Sequence, residues 1–119
     1  YTVVFDNITK TKEVITLTAK EVAPTINGSV YTMRSGQPVQ VNVNLGSGTI
    51  RATSIKSIIF KRDSGVLAVL PTSNYTFTDG VLEFNAAYIS ALIKGTTSRD
   101  YTITFNDKAE TKQTITLKK

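Results

Sequence analysis

Between Val39 and Leu45 the chain reads VQVNVNL, apolar at every second residue with an amide side chain between each pair. A helix would scatter those four apolar residues around its circumference. A pleated strand places them all on one face. The same period recurs in DYTITFND, where Tyr101, Ile103 and Phe105 share a face opposite Thr102 and Thr104. It recurs again in QTITL, where Ile115 and Leu117 oppose Thr114 and Thr116. Strands with one dry and one wet face belong to antiparallel sheets stacked face to face. SIKSIIFKR breaks the alternation at Ile58-Ile59, as expected of a central strand or of a bulge.

Turn signals separate the strands. Gly46-Ser47-Gly48 follows the first. Asp79-Gly80 joins NYTFT to VLEFN, a two-residue hairpin signal because both residue types tolerate positive φ. FNDKAETKQ reads as the loop between the last two strands. One helix is predicted, in AAYISALIK, where Tyr88, Ile89, Leu92 and Ile93 fall at helical spacing and Gly95 is expected to stop it. The expected segments are INGSVYTMR, QPVQVNVNL, SIKSIIFK, GVLAVL, NYTFT, VLEFN, DYTITF and KQTITL. The predicted fold class is all-β: an immunoglobulin-like antiparallel β-sandwich of about seven strands, with one short helix near residues 86–94, lacking the Cys–Trp–Cys core.

What the chain lacks narrows its chemistry. It has no Cys and no His, which removes disulfides, thiol nucleophiles and the commonest general base and metal ligand. The net charge of +5 is spread without a basic block, and Trp is absent, so neither nucleic-acid binding nor an aromatic sugar platform is indicated. No apolar run approaches the roughly 20 residues of a membrane span, so no membrane insertion is expected.

The segment NYTFTDGVLEFNAAYISALIKGTTSRDYTITF resembles the immunoglobulin-like X module that stands beside catalytic and carbohydrate-binding domains in bacterial cellulosomal, glycan-degrading and cell-surface proteins. The resemblance rests on Asn74-Tyr75-Thr76, Asp79-Gly80, Tyr88-Ile89, Leu92, Gly95 and the Thr-rich strand ending at Phe105, and extends over roughly residues 24–118. Ile89 stands where the family usually has Leu, and FKRDSGVLAVLPTS is longer than the family pattern. The resemblance implies a spacer, or a module that binds polysaccharide or cell wall, and brings no catalytic motif.

The chain also carries its ending at its beginning. YTVVFDNITKTKEVITL, from Tyr1, aligns with YTITFNDKAETKQTITL, from Tyr101, at an offset of 100 residues. Identities fall at Tyr1/Tyr101, Thr2/Thr102, Phe5/Phe105, Thr11/Thr111, Lys12/Lys112, Ile15/Ile115, Thr16/Thr116 and Leu17/Leu117. Residues 1–19 are therefore read as the C-terminal hairpin of a preceding repeat, or as exchanged strands. Residues 20–24 are read as a linker and 25–119 as a complete domain, giving a tandem array with a period near 100 residues. Duplication of one hairpin within a single domain is the alternative. Tyr1, Val3, Phe5, Ile15 and Leu17 repeat the inward pattern of the last hairpin. A lone hairpin is marginal in water, so these residues must complete another sheet, in a preceding repeat or in a neighbouring subunit.

The expected function is that of a non-catalytic repeat of a secreted or surface-displayed bacterial protein, spacing or assembling a larger structure. The expected partners are adjacent repeats or subunits of the same protein. A polysaccharide- or wall-binding module is the second reading, and a surface-layer or pilus subunit assembled by strand exchange the third. Tyr31 is the one aromatic not assigned to a core face and is the candidate glycan contact. Asp79 and Glu83 are the closest carboxylate pair, but Asp79 is explained by its turn, so no catalytic residue is assigned. FDN at 5–7 and FND at 105–107 offer oxygen ligands, but calcium needs six to eight. Asp and Asn there are expected to serve the turn. No metal or cofactor is expected.

Overall fold

The computed structural model describes residues 2–4, 12–14 and 20–119. The period-two segments form two sheets. One has four strands in the order β3 (Thr25–Ile26), β5 (Val39–Asn44), β9 (Val81–Phe84), β8 (Tyr75–Thr78). The other has five, in the order β4 (Val30–Thr32), β11 (Lys112–Lys118), β10 (Ser98–Phe105), β6 (Ile55–Lys61), β7 (Leu67–Val69). All pairings are antiparallel except β4 with β11, which is parallel. β1 (Thr2–Val4) and β2 (Lys12–Val14) pair with each other as a separate two-stranded sheet.

The inward faces are those expected. Val39 and Val41 of β5 and Leu82 and Phe84 of β9 meet Ile58 of β6, Tyr101, Ile103 and Phe105 of β10, and Ile115 and Leu117 of β11 in one buried cluster. Across the sheets, the Phe84 and Tyr101 rings lie 5.4 Å apart at a tilted angle, the arrangement that aromatic quadrupoles favour. The chain is thus a mostly β, two-sheet sandwich.

Two expectations need correction. Ile26–Arg34 was expected as one strand but forms two, on opposite sheets. Gly28, at φ 90°, turns the chain out of β3 so that β4 can join β11 on the other side. With this split, and with β7 present, the sandwich has nine strands among the described residues, four plus five, rather than about seven. The helix ends at Gly95, as expected: Gly95 is the last residue of α1 (Ala86–Gly95), and the chain leaves the helix at Thr96, whose backbone is extended.

The irregularity in SIKSIIFKR has two sources. β6 is flanked by β10 and β7, and its register with β10 slips so that Thr104 faces Ser57 while Phe105 faces Ile55, leaving Lys56 as the extra residue of a bulge. Ile58 points into the core, whereas Ile59 lies half-buried on the outer face, opposite Val69 of β7. Asp79 and Gly80 adopt φ 51° and 76°, both positive, as a tight hairpin between β8 and β9 requires.

Helix α1 carries the chain from β9 in one sheet to β10 in the other. It buries Ile89 and Leu92 and half-buries Tyr88 and Ile93 against the core. Asn85 anchors its start by donating its side-chain amide to the Ser73 carbonyl at 2.7 Å. Ser90 accepts the Gly36 amide at 2.7 Å, tying the loop after β4 to the helix.

Candidate functional site: a groove where the chain joins the sandwich

The β5–β6 connection, residues 45–54, is shaped by two left-handed glycines, Gly46 at φ 85° and Gly48 at φ 75°. The Asn44 side chain accepts the Gly46 amide at 2.9 Å, and the Ala52 amide donates to the Leu45 carbonyl at 2.8 Å, closing the loop over a fully buried Ala52. The open outer side of this loop receives residues 20–24. Val22 and Ser47 exchange both backbone hydrogen bonds, at 3.1 and 2.9 Å. The Ser47 hydroxyl donates to the Lys20 carbonyl. The Glu21 carboxylate accepts the amides of Thr49 and Ile50, at 2.9 and 3.3 Å, and the Thr49 hydroxyl at 3.1 Å. Pro24 is fully buried. The expected linker is docked, and the sandwich's contacts reach back to Lys20.

Beside this dock lies a groove of about 930 Å³, between the β5–β6 loop and the Asp79-Gly80 turn. Val43, Leu45 and Phe77 supply its apolar lining, and Arg51 and Asp79 its charges. The Val43 amide donates to the Gly80 carbonyl at 2.8 Å, holding the turn against β5. The groove is largely open to solvent, so it suits a surface or chain segment laid across it rather than an enclosed small ligand. Among the described residues no cluster of three or more His, Cys, Asp or Glu could hold a metal ion.

The β10–β11 loop stands at the same end. Asn106 accepts the amides of Thr53 and Ser54, at 2.8 and 3.0 Å, and donates to the Thr53 hydroxyl at 2.7 Å. Asp107 accepts the Thr111 amide and hydroxyl, at 2.7 and 2.5 Å. Both polar side chains of the FND stretch are thus committed to loop architecture. Burial works against the charge on Asp107, but the two Thr111 hydrogen bonds outweigh it and hold the pKa below the ordinary 3.8. The exposed ion pair between Lys56 and Glu110 likewise lowers the Glu110 pKa. A carboxylate with a depressed folded-state pKa stabilises above its unfolded value, and that contribution is lost as pH falls through the folded value. The wild-type melting temperature is therefore expected to fall as pH drops below about 4, and Asp107→Asn to melt lower at neutral pH with a shallower acid dependence. Thermal melts across that range check this, and identical acid slopes would refute it.

Tyr31 lies on β4 opposite Leu117, away from the groove. Its ring is half-buried against the core and its hydroxyl donates to the Asn27 carbonyl. Burial raises its pKa. Of the other aromatics, Phe84, Tyr101 and Phe105 are fully buried, while Tyr75 and Phe77 are half-buried against the core. Glu83 accepts from the Gln40 amide at 2.9 Å on the outer face, so it serves a cross-strand pair. Of the hairpin residues, Val3 lies in β1, paired with Glu13. Tyr1, Phe5, Ile15 and Leu17, and the FDN stretch, lie outside the described residues. Sequence reasoning missed the Glu21 clamp, whose signal was two closely spaced glycines in a loop and a carboxylate just before an apolar-Pro segment.

No protein-family model matches the chain, and neither the curated proteins nor the solved structures compared with it give a match.

Proposed function

We propose that this chain is a non-catalytic immunoglobulin-like repeat that spaces or assembles a larger secreted or surface-displayed protein. The strand order supports the fold reading. β3-β5-β9-β8 corresponds to the A-B-E-D sheet of such a domain. β4-β11-β10-β6-β7 corresponds to a G-F-C sheet extended by a parallel first strand and a C′ edge. The outer faces of β5 and β8 carry Gln, Asn and Thr, a hydrated surface suited to an extracellular stalk, whereas Val30, Leu67 and Val69 on β4 and β7 stand exposed. No helix among the described residues is long and apolar enough to cross a membrane.

The observation that carries the repeat reading is a shared register. β1 and β2 pair Thr2 with Val14, Val3 with Glu13 and Val4 with Lys12. β10 and β11 pair Thr102 with Thr114, Ile103 with Gln113 and Thr104 with Lys112. The partners are the same at the offset of 100 that aligns the two sequences. The residue types of the loop are similar too. Asp6 and Asn7 exchange the residue types of Asn106 and Asp107 but leave an oxygen acceptor at each position, and Thr11 matches the donor Thr111.

The test is a segment exchange in which residues 20–100 are followed directly by residues 1–19. A repeat hairpin is expected to complete the sandwich. The product should give the β-sheet circular dichroism and cooperative melt of the parent, at a cost of about 0.5–1.5 kcal/mol for Val3 in place of Ile103 plus the loop differences. An unfolded product, beside a folded 1–119 control, would remove the repeat reading.

A further inference from the structure

We infer that the groove between the β5–β6 loop and the Asp79-Gly80 turn is the socket for the end of a preceding copy of this same sandwich, joined so closely that the two copies move as one body. The inference rests on the repeat reading and adds to it the contact surface and the stiffness of the joint.

The argument starts from chain length. Strand β11 ends at Lys118, whose equivalent at the offset of 100 is Thr18. The sandwich's own contacts begin at Lys20, with its carbonyl on the Ser47 hydroxyl. Only Ala19 separates the equivalent strand end from the dock. One extended residue spans about 3.3–3.6 Å, so two copies joined this way cannot stand apart.

The groove lies where that contact must fall. Its Gly46–Gly48 wall is the loop that holds Lys20, Glu21 and Val22. A unit attached at Ala19 therefore starts beside Ser47, which lines it.

The opposing surface is the end of the sandwich where β11 finishes, and there the chain is well tied. The Met33 amide donates to the Lys118 carbonyl at 2.7 Å, and the Lys119 amide donates to the Thr97 carbonyl at 2.8 Å. The Gly36 amide donates to Ser90 at 2.7 Å. Three connections thus converge into a firm end. At the joint itself the equivalents of Lys118 and Lys119 are Thr18 and Ala19, short and uncharged, which removes two long cations from the line of approach.

The test is a two-unit chain in which residues 1–117 run directly into residues 18–119, keeping the Thr18-Ala19-Lys20 joint. It is compared with the same chain carrying about six Gly/Ser residues between Ala19 and Lys20. Amide nitrogen relaxation is expected to give both units of the direct chain one rotational correlation time, and the spacer is expected to shorten it by about twofold. The resonances of Gly46, Gly48, Arg51, Asp79 and Gly80 in the downstream unit should shift relative to 1–119, and return with the spacer. Two folded units that tumble independently without a spacer, or groove resonances that do not move, would overturn the socket. That outcome leaves the segment exchange intact. Failure of the segment exchange removes the repeat reading itself.

Discussion

Tyr101→Ala is expected to destabilise the sandwich by about 3–5 kcal/mol, and Tyr101→Phe by about 1–2 kcal/mol. Tyr101 is fully buried on β10, the central strand of the five-stranded sheet. Its ring lies 5.7 Å from that of Phe60 in its own sheet and 5.4 Å from that of Phe84 in the other. Its hydroxyl sits 2.6 Å from that of Tyr88 on α1, the helix that joins the sheets. Burial and this hydrogen bond raise the Tyr101 pKa far above its ordinary value, so the hydroxyl stays neutral. The alanine variant loses both the ring and the hydroxyl pair. The phenylalanine variant keeps the ring and leaves Tyr88 without its partner. Urea titration separates the two. The alanine melt should also drop by about 12 °C or more for a domain of this size. Equal losses in the two variants would show that the ring contributes nothing, and would contradict its place between the sheets.

Gly46→Ala is the second large expected effect, about 2–4 kcal/mol, with loss of the dock at residues 20–22. Two causes add. Gly46 holds φ 85°, where an L side chain is strained. A Cβ there would also come well within 3.0 Å of the Val22 carbonyl oxygen, a backbone atom that cannot rotate away. The segment must lift, and the paired hydrogen bonds between Val22 and Ser47 go with it. Gly36→Ala is the control. Its φ of 77° is comparable, but nothing lies within 4 Å of the added Cβ. It should cost only the backbone strain, about 1–2 kcal/mol. Hydrogen exchange at the Val22 and Ser47 amides, read beside the melts, distinguishes a lifted segment from general destabilisation. Unchanged protection at both amides in Gly46→Ala would refute the dock.

Alternation made most of the sandwich legible. VQVNVNL, DYTITF and KQTITL announce which residues face inward because each strand has one wet side, and Asp79-Gly80 marks its turn through backbone chemistry that few residue pairs share. What stayed hidden was non-local. Nothing within INGSVYTMR reports that Val30–Thr32 finds β11, the last strand of the chain, while Thr25–Ile26 finds β5. The bulge at Lys56 is visible only against the register of β10. Glu21 reads as a solvated charge because its partners, Thr49 and Ile50, are far along the chain. The groove was illegible for the same reason, since it is bounded by a loop and a turn from different parts of the sequence. Tyr31 is placed by a distant strand as well, since it lies opposite Leu117 of β11 and packs half-buried against the core.

The parallel pairing of β4 with β11 has a consequence under tension. β4 lies near the start of the sandwich and β11 at its end, and they run in the same direction, with Val30, Tyr31 and Thr32 opposite Thr116, Leu117 and Lys118. If such units are joined in a chain, tension that has first lifted residues 20–24 from the β5–β6 loop and β3 from β5 draws β4 backward and β11 forward, so the two strands slide past each other along their length. The backbone bonds from Thr116 to Ser29 and from Met33 to Lys118 then resist together. A hairpin pulled at its two free ends opens one bond at a time. These strands must break their bonds at once before the sheets can part, so the unit would yield abruptly at a threshold force.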